Sequence, residues 1–254
     1  MDIISHRANG FGCSENSLQG FIEALKSDIK HIEIDLRLTK DNVYIANHDP
    51  SFRKRLLRRY FYKSDFKDLQ FRFHSIKTYL DLFQETENKV LHLDIKDQGR
   101  EMQLVKELEK RNLVNRVVII SWVPKILINI KKYNSKIKTS FVFVPFIKFK
   151  NLRLPFLHHL RPLVYVDDLN VDTFDSKYSK GYSHAHFFSK LPDIDVDYIN
   201  IPITFQTMKI VNEAKQKNIG VNLFTVNNKN SLNKFMKKGI NAIYTNVPLT
   251  LMKF

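Results

Sequence analysis

Short apolar runs alternate with longer amphipathic stretches along most of the chain. The runs are rich in Ile, Val, Leu and Phe and predict nine strands, at 2–7, 31–39, 42–49, 89–96, 116–122, 138–144, 197–203, 220–226 and 242–246. Apolar residues at helical spacing predict a helix after Ser17 and five more, at 73–84, 101–112, 123–134, 204–218 and 228–239. Strands that alternate with helices are typical of a parallel sheet.

The link between the second and third strands breaks this alternation. Its four residues, TKDN (39–42), are too few for a parallel crossover and predict an antiparallel hairpin. With the two middle residues at the tip, the pairing would place Glu33 opposite His48 and Asp35 opposite Ala46. Without this hairpin arm eight strands remain, which in 254 residues predicts a single-domain TIM (β/α)8 barrel spanning residues 1–254.

Two of the predicted strands alternate aliphatic with polar residues. The polar sets contain Glu33 and Asp35 in one strand and His92, Asp94 and Lys96 in the other. An antiparallel sheet with one wet face would give the same pattern. In a barrel, however, aliphatic residues that face the helices leave the polar residues facing the barrel axis. Glu33, Asp35 and Asp94 would then repel one another unless a cation lies between them.

One divalent cation, Mg²⁺ or Ca²⁺, suits such an oxygen-only set, and the lack of a Cys/His cluster argues against zinc. Arg7 and Lys96 would add a phosphate-binding pair of charges, and His6 and His48 could exchange protons near neutral pH. A structural role is the alternative for any single histidine. Together these residue types predict phosphodiester cleavage.

The net charge is +15, and the basic excess is concentrated in two blocks. Residues 51–77 contain nine basic and two acidic residues, and residues 110–166 contain twelve basic and no acidic ones. Such charge attracts phosphate-bearing small molecules or, by peripheral contact, an anionic membrane; a solvated basic surface is the alternative. No nucleic-acid-binding motif accompanies the charge, so no specific nucleic acid partner is predicted.

Other features bear on location and on the long segment between two strands. The chain begins without a signal-peptide pattern, and no apolar run reaches the about 18 residues of a spanning helix, so we expect a cytoplasmic protein. The single cysteine, Cys13, fits a reducing compartment. Residues 146–196 predict an insertion on the barrel, either an ordinary packed one or a substrate rim or lipid-facing surface.

Several motifs occur together in a characteristic order. They are HRANGFGCSENSLQGF, IEIDLRLTKDNVYIANHD, LDIK, SW, LFTVNN and GINAIYTNVP. In this order and spacing, over positions 5–248, the chain resembles the glycerophosphodiester phosphodiesterase family. The resemblance implies a TIM barrel and the release of an alcohol from a glycerol phosphodiester with Mg²⁺ or Ca²⁺.

The resemblance also implies roles for individual residues. His6 and His48 match the catalytic histidines. Arg7 and Lys96 match residues that contact the phosphate, and Glu33, Asp35 and Asp94 match metal ligands. Glu15 and Asn16 match residues that support the site, and Trp122 matches a residue in the wall of the substrate pocket. Four residues depart from the family pattern: Ala8 replaces a glycine, Asp94 a glutamate, Ser14 a proline and Phe224 a tryptophan.

The expected reaction is therefore metal-assisted hydrolysis of a small glycerophosphodiester to glycerol 3-phosphate and an alcohol. Two alternatives remain open at this point. One is a lysophospholipase D-type phosphodiesterase that acts on lipids at a membrane surface. The other is an inactive barrel that binds a phosphate headgroup, which the substitutions Ala8 and Asp94 would favour.

Overall fold

A computed structural model describes residues 1–54, 57–142, 194–203 and 207–253 of the chain. All nine predicted strands are present, together with a further strand pair. The strands are β1 (Asp2–Ser5), β2 (His31–Leu38), β3 (Tyr44–Ala46), β4 (Ser51–Lys54), β5 (Leu57–Tyr60), β6 (Val90–Ile95), β7 (Val117–Ser121), β8 (Lys138–Val142), β9 (Tyr198–Pro202), β10 (Gly220–Phe224) and β11 (Ala242–Thr245).

Eight of these strands form a closed parallel ring. The ring runs β1, β2, β6, β7, β8, β9, β10, β11 and returns to β1, while β3 pairs with β2 outside the ring. This arrangement confirms the predicted TIM barrel. Because all eight strands are parallel, their carboxyl ends and the loops that follow them meet at one end of the barrel.

Helices follow the ring strands wherever the sequence predicts them. The described helices are α1 (Leu18–Lys26), α2 (Ile76–Gln84), α3 (Glu101–Lys110), α4 (Pro124–Tyr133), α5 (Thr207–Gln216), α6 (Lys229–Phe235) and the unpredicted α7 (Pro248–Leu251). The side chain of Ser17 accepts a hydrogen bond from the Gly20 backbone N–H and thereby caps α1. Apart from residues 194–196, the predicted insertion at 146–196 lies outside the described residues.

The aliphatic and polar faces of the strands divide as predicted. Ile32, Ile34 and Leu36 of β2 are fully buried in one large core, which also contains Phe21 of α1 and Leu80 of α2. A smaller apolar cluster contains inward-facing residues of β1, β7 and β11: Ile4, Val118, Ile120, Ala242 and Tyr244. On β2 the polar residues Glu33, Asp35 and Arg37 are buried as well, so both faces of this strand are covered, as in other parallel barrels.

The predicted register of the β2–β3 hairpin is wrong by one residue. Leu36, not Asp35, lies opposite Ala46, and the strand ends there, so Glu33 has no partner in β3. The turn contains three residues instead of two, because Asn42 adopts a left-handed conformation with φ of 62°. A type I turn followed by a left-handed residue is a common three-residue hairpin loop. His48 consequently reaches the barrel end on a loop and not on a strand.

Candidate active site

Three carboxylates meet at the carboxyl end of the barrel. Glu33 and Asp35 are two residues apart on β2 and therefore point to the same side, and Asp94 of β6 lies opposite Asp35. One oxygen from each carboxylate lies within 4.8 Å of the others, and all three residues are buried. The β2–β6 register thus produces the cluster that the sequence predicts.

Two cations lie against this cluster. Lys96 Nζ lies 2.9 Å from Asp35 Oδ1 and 2.6 Å from Asp94 Oδ2. Arg7 Nε lies 3.3 Å from Asp35 Oδ2, and the Arg7 backbone N–H donates to Glu33 Oε2 at 2.7 Å. We call these five residues, Arg7, Glu33, Asp35, Asp94 and Lys96, the mouth cluster. With both cations charged and all three carboxylates ionised, the mouth cluster has one more negative than positive charge.

The pKa values of the carboxylates in the mouth cluster shift in different directions. Burial raises the pKa of Glu33 well above its usual value, and the neighbouring Asp35 and Asp94 raise it further. Burial would also raise the pKa of Asp35, but Lys96, His48 and Arg7 together hold it below its usual range. Burial opposes the charge of Lys96 too, yet Asp35 and Asp94 keep its pKa raised. Glu33 is therefore the carboxylate whose negative charge is least compensated.

Two buried carboxylate oxygens have no hydrogen-bond partner in the described part of the chain. They are Glu33 Oε1 and Asp94 Oδ1. Buried polar atoms are nearly always paired, and an orphan acceptor costs about 1–3 kcal/mol. A hard divalent cation takes carboxylate oxygens as ligands and compensates their charge. Glu33, Asp35 and Asp94 therefore fit such an ion, on the grounds of both unused acceptors and surplus charge.

His6 borders the cluster on a short 3-10 turn that directly follows β1. Its Nδ1 lies 2.8 Å from Asn246 Oδ1, an acceptor, so Nδ1 carries the hydrogen and Nε2 is left with a lone pair. Nε2 lies 4.0 Å from Glu33 Oε2. Burial, aided by the charge of Arg7, lowers the pKa of His6 to about 4.

His48 approaches from the loop after β3. Its Nδ1 donates to Asp49 Oδ1 at 2.9 Å, which again leaves Nε2 with the lone pair. Burial lowers the pKa of His48, with Asp35 opposing the shift and Lys96 and Arg7 adding to it. The backbone also brings this loop to the mouth cluster, because the Asn47 N–H donates to the Asp35 carbonyl at 3.0 Å, one residue before His48.

The residues expected to support the site differ in burial. Glu15 is half exposed and accepts two hydrogen bonds from Arg7 Nη1, at 3.1 and 3.0 Å. Asn16 is buried and clamps Asp35, donating to Oδ2 and accepting from the backbone N–H, both at 2.9 Å. Trp122 is half-buried and directly follows β7, next in the ring to β6.

Sequence reasoning did not assign roles to several residues that hold these groups. Asn246 orients His6, and Asp49 orients His48. Arg37 Nε donates to the His48 backbone carbonyl at 2.9 Å, and Asp97 in turn holds Arg37 Nη1 at 3.0 Å. Asp49 and Asn246 lie inside quoted motifs, where a signal was available. No sequence pattern indicated a role for Asp97, because its contact with Arg37 joins residues that are 60 positions apart in the chain.

A second group of polar residues fills the barrel interior. Tyr244 is at its centre: Asn200 Nδ2 donates to the phenol oxygen at 3.1 Å, and that oxygen lies 3.2 Å from His92 Nδ1. The chain continues from His92 Nε2 to His31 Nδ1 at 3.1 Å, and Asn200 Oδ1 accepts from Ser140 and Asn222. We call this set the interior network. It consists of His31, His92, Ser140, Asn200, Asn222 and Tyr244.

Ala8, where the family pattern has glycine, adopts a left-handed conformation. Its φ is 50°, its side chain is fully buried, and the preceding Arg7 is also left-handed at φ 58°. The alanine methyl is therefore accommodated, at some cost in backbone strain. Asp94 still reaches the cluster although it is one methylene shorter than glutamate.

Within the described ranges, no helix combines the length and the apolar character that crossing a bilayer requires.

Comparison with known proteins identifies the family. The model of the Glycerophosphoryl diester phosphodiesterase family matches residues 6–250. A glycerophosphodiester phosphodiesterase from Caldanaerobacter subterraneus subsp. tengcongensis is 24% identical over 272 residues, covering 98% of this chain and 96% of the relative.

Solved structures show the same fold. A glycerophosphodiester phosphodiesterase from Thermotoga maritima has a TM-score of 0.69 at 17% identity, with 99% of this chain and 96% of that chain covered. An Oleispira antarctica phosphodiesterase in complex with the product sn-glycerol-3-phosphate has a TM-score of 0.71 at 16% identity, with 100% and 96% covered. The chain therefore belongs to the glycerophosphoryl diester phosphodiesterase family and is a phosphodiester hydrolase of that family.

Proposed function

We propose that this protein is a metal-dependent hydrolase that cleaves glycerophosphodiesters to glycerol 3-phosphate and an alcohol. One observation carries the proposal: three carboxylates lie between two cations and beside two histidines at the mouth of the barrel, and two of them have a buried oxygen without a hydrogen-bond partner among the described residues. The product-bound Oleispira antarctica relative supports a glycerol phosphate as the common part of the substrate.

Glu33, Asp35 and Asp94 would hold one Mg²⁺ or Ca²⁺. Such an ion, when bound, polarises a phosphoryl oxygen as a Lewis acid. Arg7 and Lys96 supply fixed positive charge where the phosphoryl group gains negative charge in the transition state. Asn16 holds Asp35 in place through two hydrogen bonds, and Glu15 holds the Arg7 guanidinium. Trp122 would form one wall of the pocket for the alcohol.

His6 and His48 divide the proton transfers. One imidazole accepts the proton of the attacking oxygen, which belongs to water or to the neighbouring glycerol hydroxyl. The other gives a proton to the leaving oxygen as its bond to phosphorus breaks. In both histidines Nδ1 is fixed by a neighbour, Asn246 or Asp49, so that Nε2 is the nitrogen that exchanges protons with the substrate.

The test is a panel of glycerophosphodiesters with different alcohols, assayed for released glycerol 3-phosphate. Each is measured with Mg²⁺, with Ca²⁺ and with a chelator. We expect release from at least one substrate, loss of release with the chelator, and loss in Asp94→Asn. Asp28→Asn, which removes an exposed carboxylate elsewhere, is the control and should behave like the natural protein. Absence of release from every substrate with either ion would contradict the proposal.

A lysophospholipase D-type reaction on a lipid is the second candidate. The observation that favours it is the basic β4–β5 hairpin, which begins at Ser51, only three residues after His48. An inactive headgroup-binding barrel would instead bind glycerol 3-phosphate without turning over any substrate in the panel.

A further inference from the structure

A basic hairpin and the loops after it border the candidate active site. The segment runs from Ser51 to Phe73, without residues 55–56, which lie outside the described ranges; we call it the cationic arm. It leaves the barrel after His48 and returns just before the bridge between Ser75 and Ile45 of β3. Both ends of the arm are therefore fixed at the carboxyl end of the barrel.

The inner side of the arm is packed. Phe61 is buried with Ile45 and Leu69. The ring centroids of Phe52 and Phe61 are 5.1 Å apart, and those of Phe61 and Phe73 are 5.0 Å apart. Aromatic contacts at such distances stabilise a cluster beyond the burial of area. The arm is consequently a fixed part of the barrel mouth.

Two large apolar side chains of the arm are exposed. Leu57 is 66% exposed and Phe71 is 75% exposed. Lys54 connects the two, because it pairs with Leu57 across the hairpin and its Nζ lies 5.9 Å from the centroid of the Phe71 ring. Two apolar side chains and a lysine thus share one surface.

The opposite face of the hairpin carries positive charge, because successive side chains of a strand point to opposite faces. Arg53 and Arg58 lie directly opposite each other across β4 and β5, where like charges are destabilising. A cleft beside the hairpin is lined by Lys54, Arg59, Lys63 and Arg72, and also by Asp65 and Asp68. Asp65 pairs with Lys40 outside the arm, and within the described chain no carboxylate forms an ion pair with the arginines and lysines named here. These basic side chains therefore have no ion-pair partner among the described residues.

We propose that the cationic arm docks this protein on an anionic lipid bilayer and turns the barrel mouth toward it. Exposed Leu57 and Phe71 would enter the boundary between headgroups and acyl chains, while the arginines and lysines contact lipid phosphates. Nucleic acid would satisfy the charge but not the exposed aliphatic side chain. Resting on the function proposed above, this docking extends the substrate class to phosphodiester lipids whose headgroups reach His48 from the bilayer.

The test measures co-sedimentation with vesicles of phosphatidylcholine alone and of phosphatidylcholine with phosphatidylglycerol. The natural protein should bind the anionic vesicles. Arg53→Glu/Arg58→Glu should weaken that binding about tenfold or more, since each basic residue near such a surface contributes appreciably. Leu57→Asp/Phe71→Asp should weaken it as well. Turnover of water-soluble glycerophosphocholine should stay unchanged in both variants, because neither touches the mouth cluster.

Matched controls place the same changes elsewhere. Lys30→Glu/Lys136→Glu alters the net charge equally at exposed positions before β2 and β8, the opposite end of the barrel, and Ile128→Asp alters an exposed aliphatic residue on α4. Equal binding by arm and control variants, or binding of single-stranded RNA in preference to vesicles, would overturn the docking proposal. Failure of the natural protein to release glycerol 3-phosphate from any glycerophosphodiester of the panel would count against the hydrolase proposal alone, because vesicle binding is measured without substrate.

Discussion

The mouth cluster and the interior network are two buried polar groups in one barrel, yet their chemistry differs. The mouth cluster consists of charged residues and contains buried atoms, including Glu33 Oε1 and Asp94 Oδ1, that have no hydrogen-bond partner in the part of the chain that the structure describes. Among the described residues, no buried side-chain nitrogen or oxygen of the interior network lacks a hydrogen-bond partner, and both ends of the His92–Tyr244 contact are held neutral. Burial and then His31 lower the pKa of His92, while burial and then Glu33 raise that of Tyr244.

This contrast distinguishes a candidate catalytic site from a hydrogen-bond network that stabilises the barrel. A satisfied neutral network gains nothing from a ligand and contributes to the stability of the barrel. A cluster with surplus charge and unused acceptors becomes favourable only when something binds to it. Removing a residue from the mouth cluster or its histidines should therefore reduce activity, whereas removing one from the interior network should reduce stability.

The largest expected effect comes from the histidines beside the mouth cluster. His6→Ala and His48→Ala should each lower kcat for glycerophosphodiester hydrolysis by about 100-fold or more, because each removes a proton-transfer group. Steady-state kinetics with circular dichroism of the folded variants measures this. The exposed His74 serves as the control, and His74→Ala should retain natural turnover. Natural turnover in either site variant would contradict the assignment of catalysis to this pair.

A stability effect of intermediate size is expected in the interior network. Tyr244→Phe should lower the free energy of unfolding by about 1–3 kcal/mol, because His92 Nδ1 and one Asn200 N–H lose their buried partner. Denaturant titration measures the loss. Tyr198→Phe removes a hydroxyl at the barrel edge, whose contact with Lys138 Nζ is 3.5 Å, and should change stability by less than about 0.5 kcal/mol. A Tyr244→Phe protein as stable as the control would mean that the network is not stabilising.

The smallest effect is expected at Ala8, which directly follows Arg7 of the mouth cluster and is buried in the large core. Relief of the left-handed strain should gain roughly 1–2 kcal/mol in Ala8→Gly. Loss of a buried methyl costs about 0.8 kcal/mol, and the more flexible unfolded chain costs about 0.4–1 kcal/mol. The sum predicts a change of less than about 1 kcal/mol in the free energy of unfolding. A destabilisation well above that value would show that the methyl has a packing role that the strain argument omits.

The sequence predicted the architecture because strand and helix periodicity repeats along the chain. Every predicted strand and helix is present, and the alternation in β2 and β6 is sufficient to group Glu33, Asp35 and Asp94. The hairpin register was not predictable from residue types alone, since it depends on the left-handed φ of Asn42. The β4–β5 hairpin carried no recognised motif.

Hydrogen bonds between residues far apart in the chain could not be predicted from the sequence either. The motifs contain His6, His48 and Asn246, but residue types alone do not show that Asn246 contacts His6 or that Arg37 and Asp97 hold the backbone of His48. Tyr244 reads as one more apolar residue of a strand, and its contact with His92 spans 152 residues of chain. Such contacts follow from barrel closure, which brings distant strands together.

The most direct test of the account compares thermal unfolding of the natural protein and Glu33→Gln, each with Mg²⁺, Ca²⁺ or a chelator. Glutamine keeps an oxygen for the Arg7 backbone N–H but removes the least compensated negative charge. We predict that the Tm of the natural protein rises with one of the ions, by the equivalent of about 2.7 kcal/mol at 100-fold excess over Kd. Glu33→Gln should lose that rise and, in chelator, be at least as stable as the natural protein. An equal rise in both proteins, or hydrolysis that persists in chelator, would contradict a metal site at the mouth cluster.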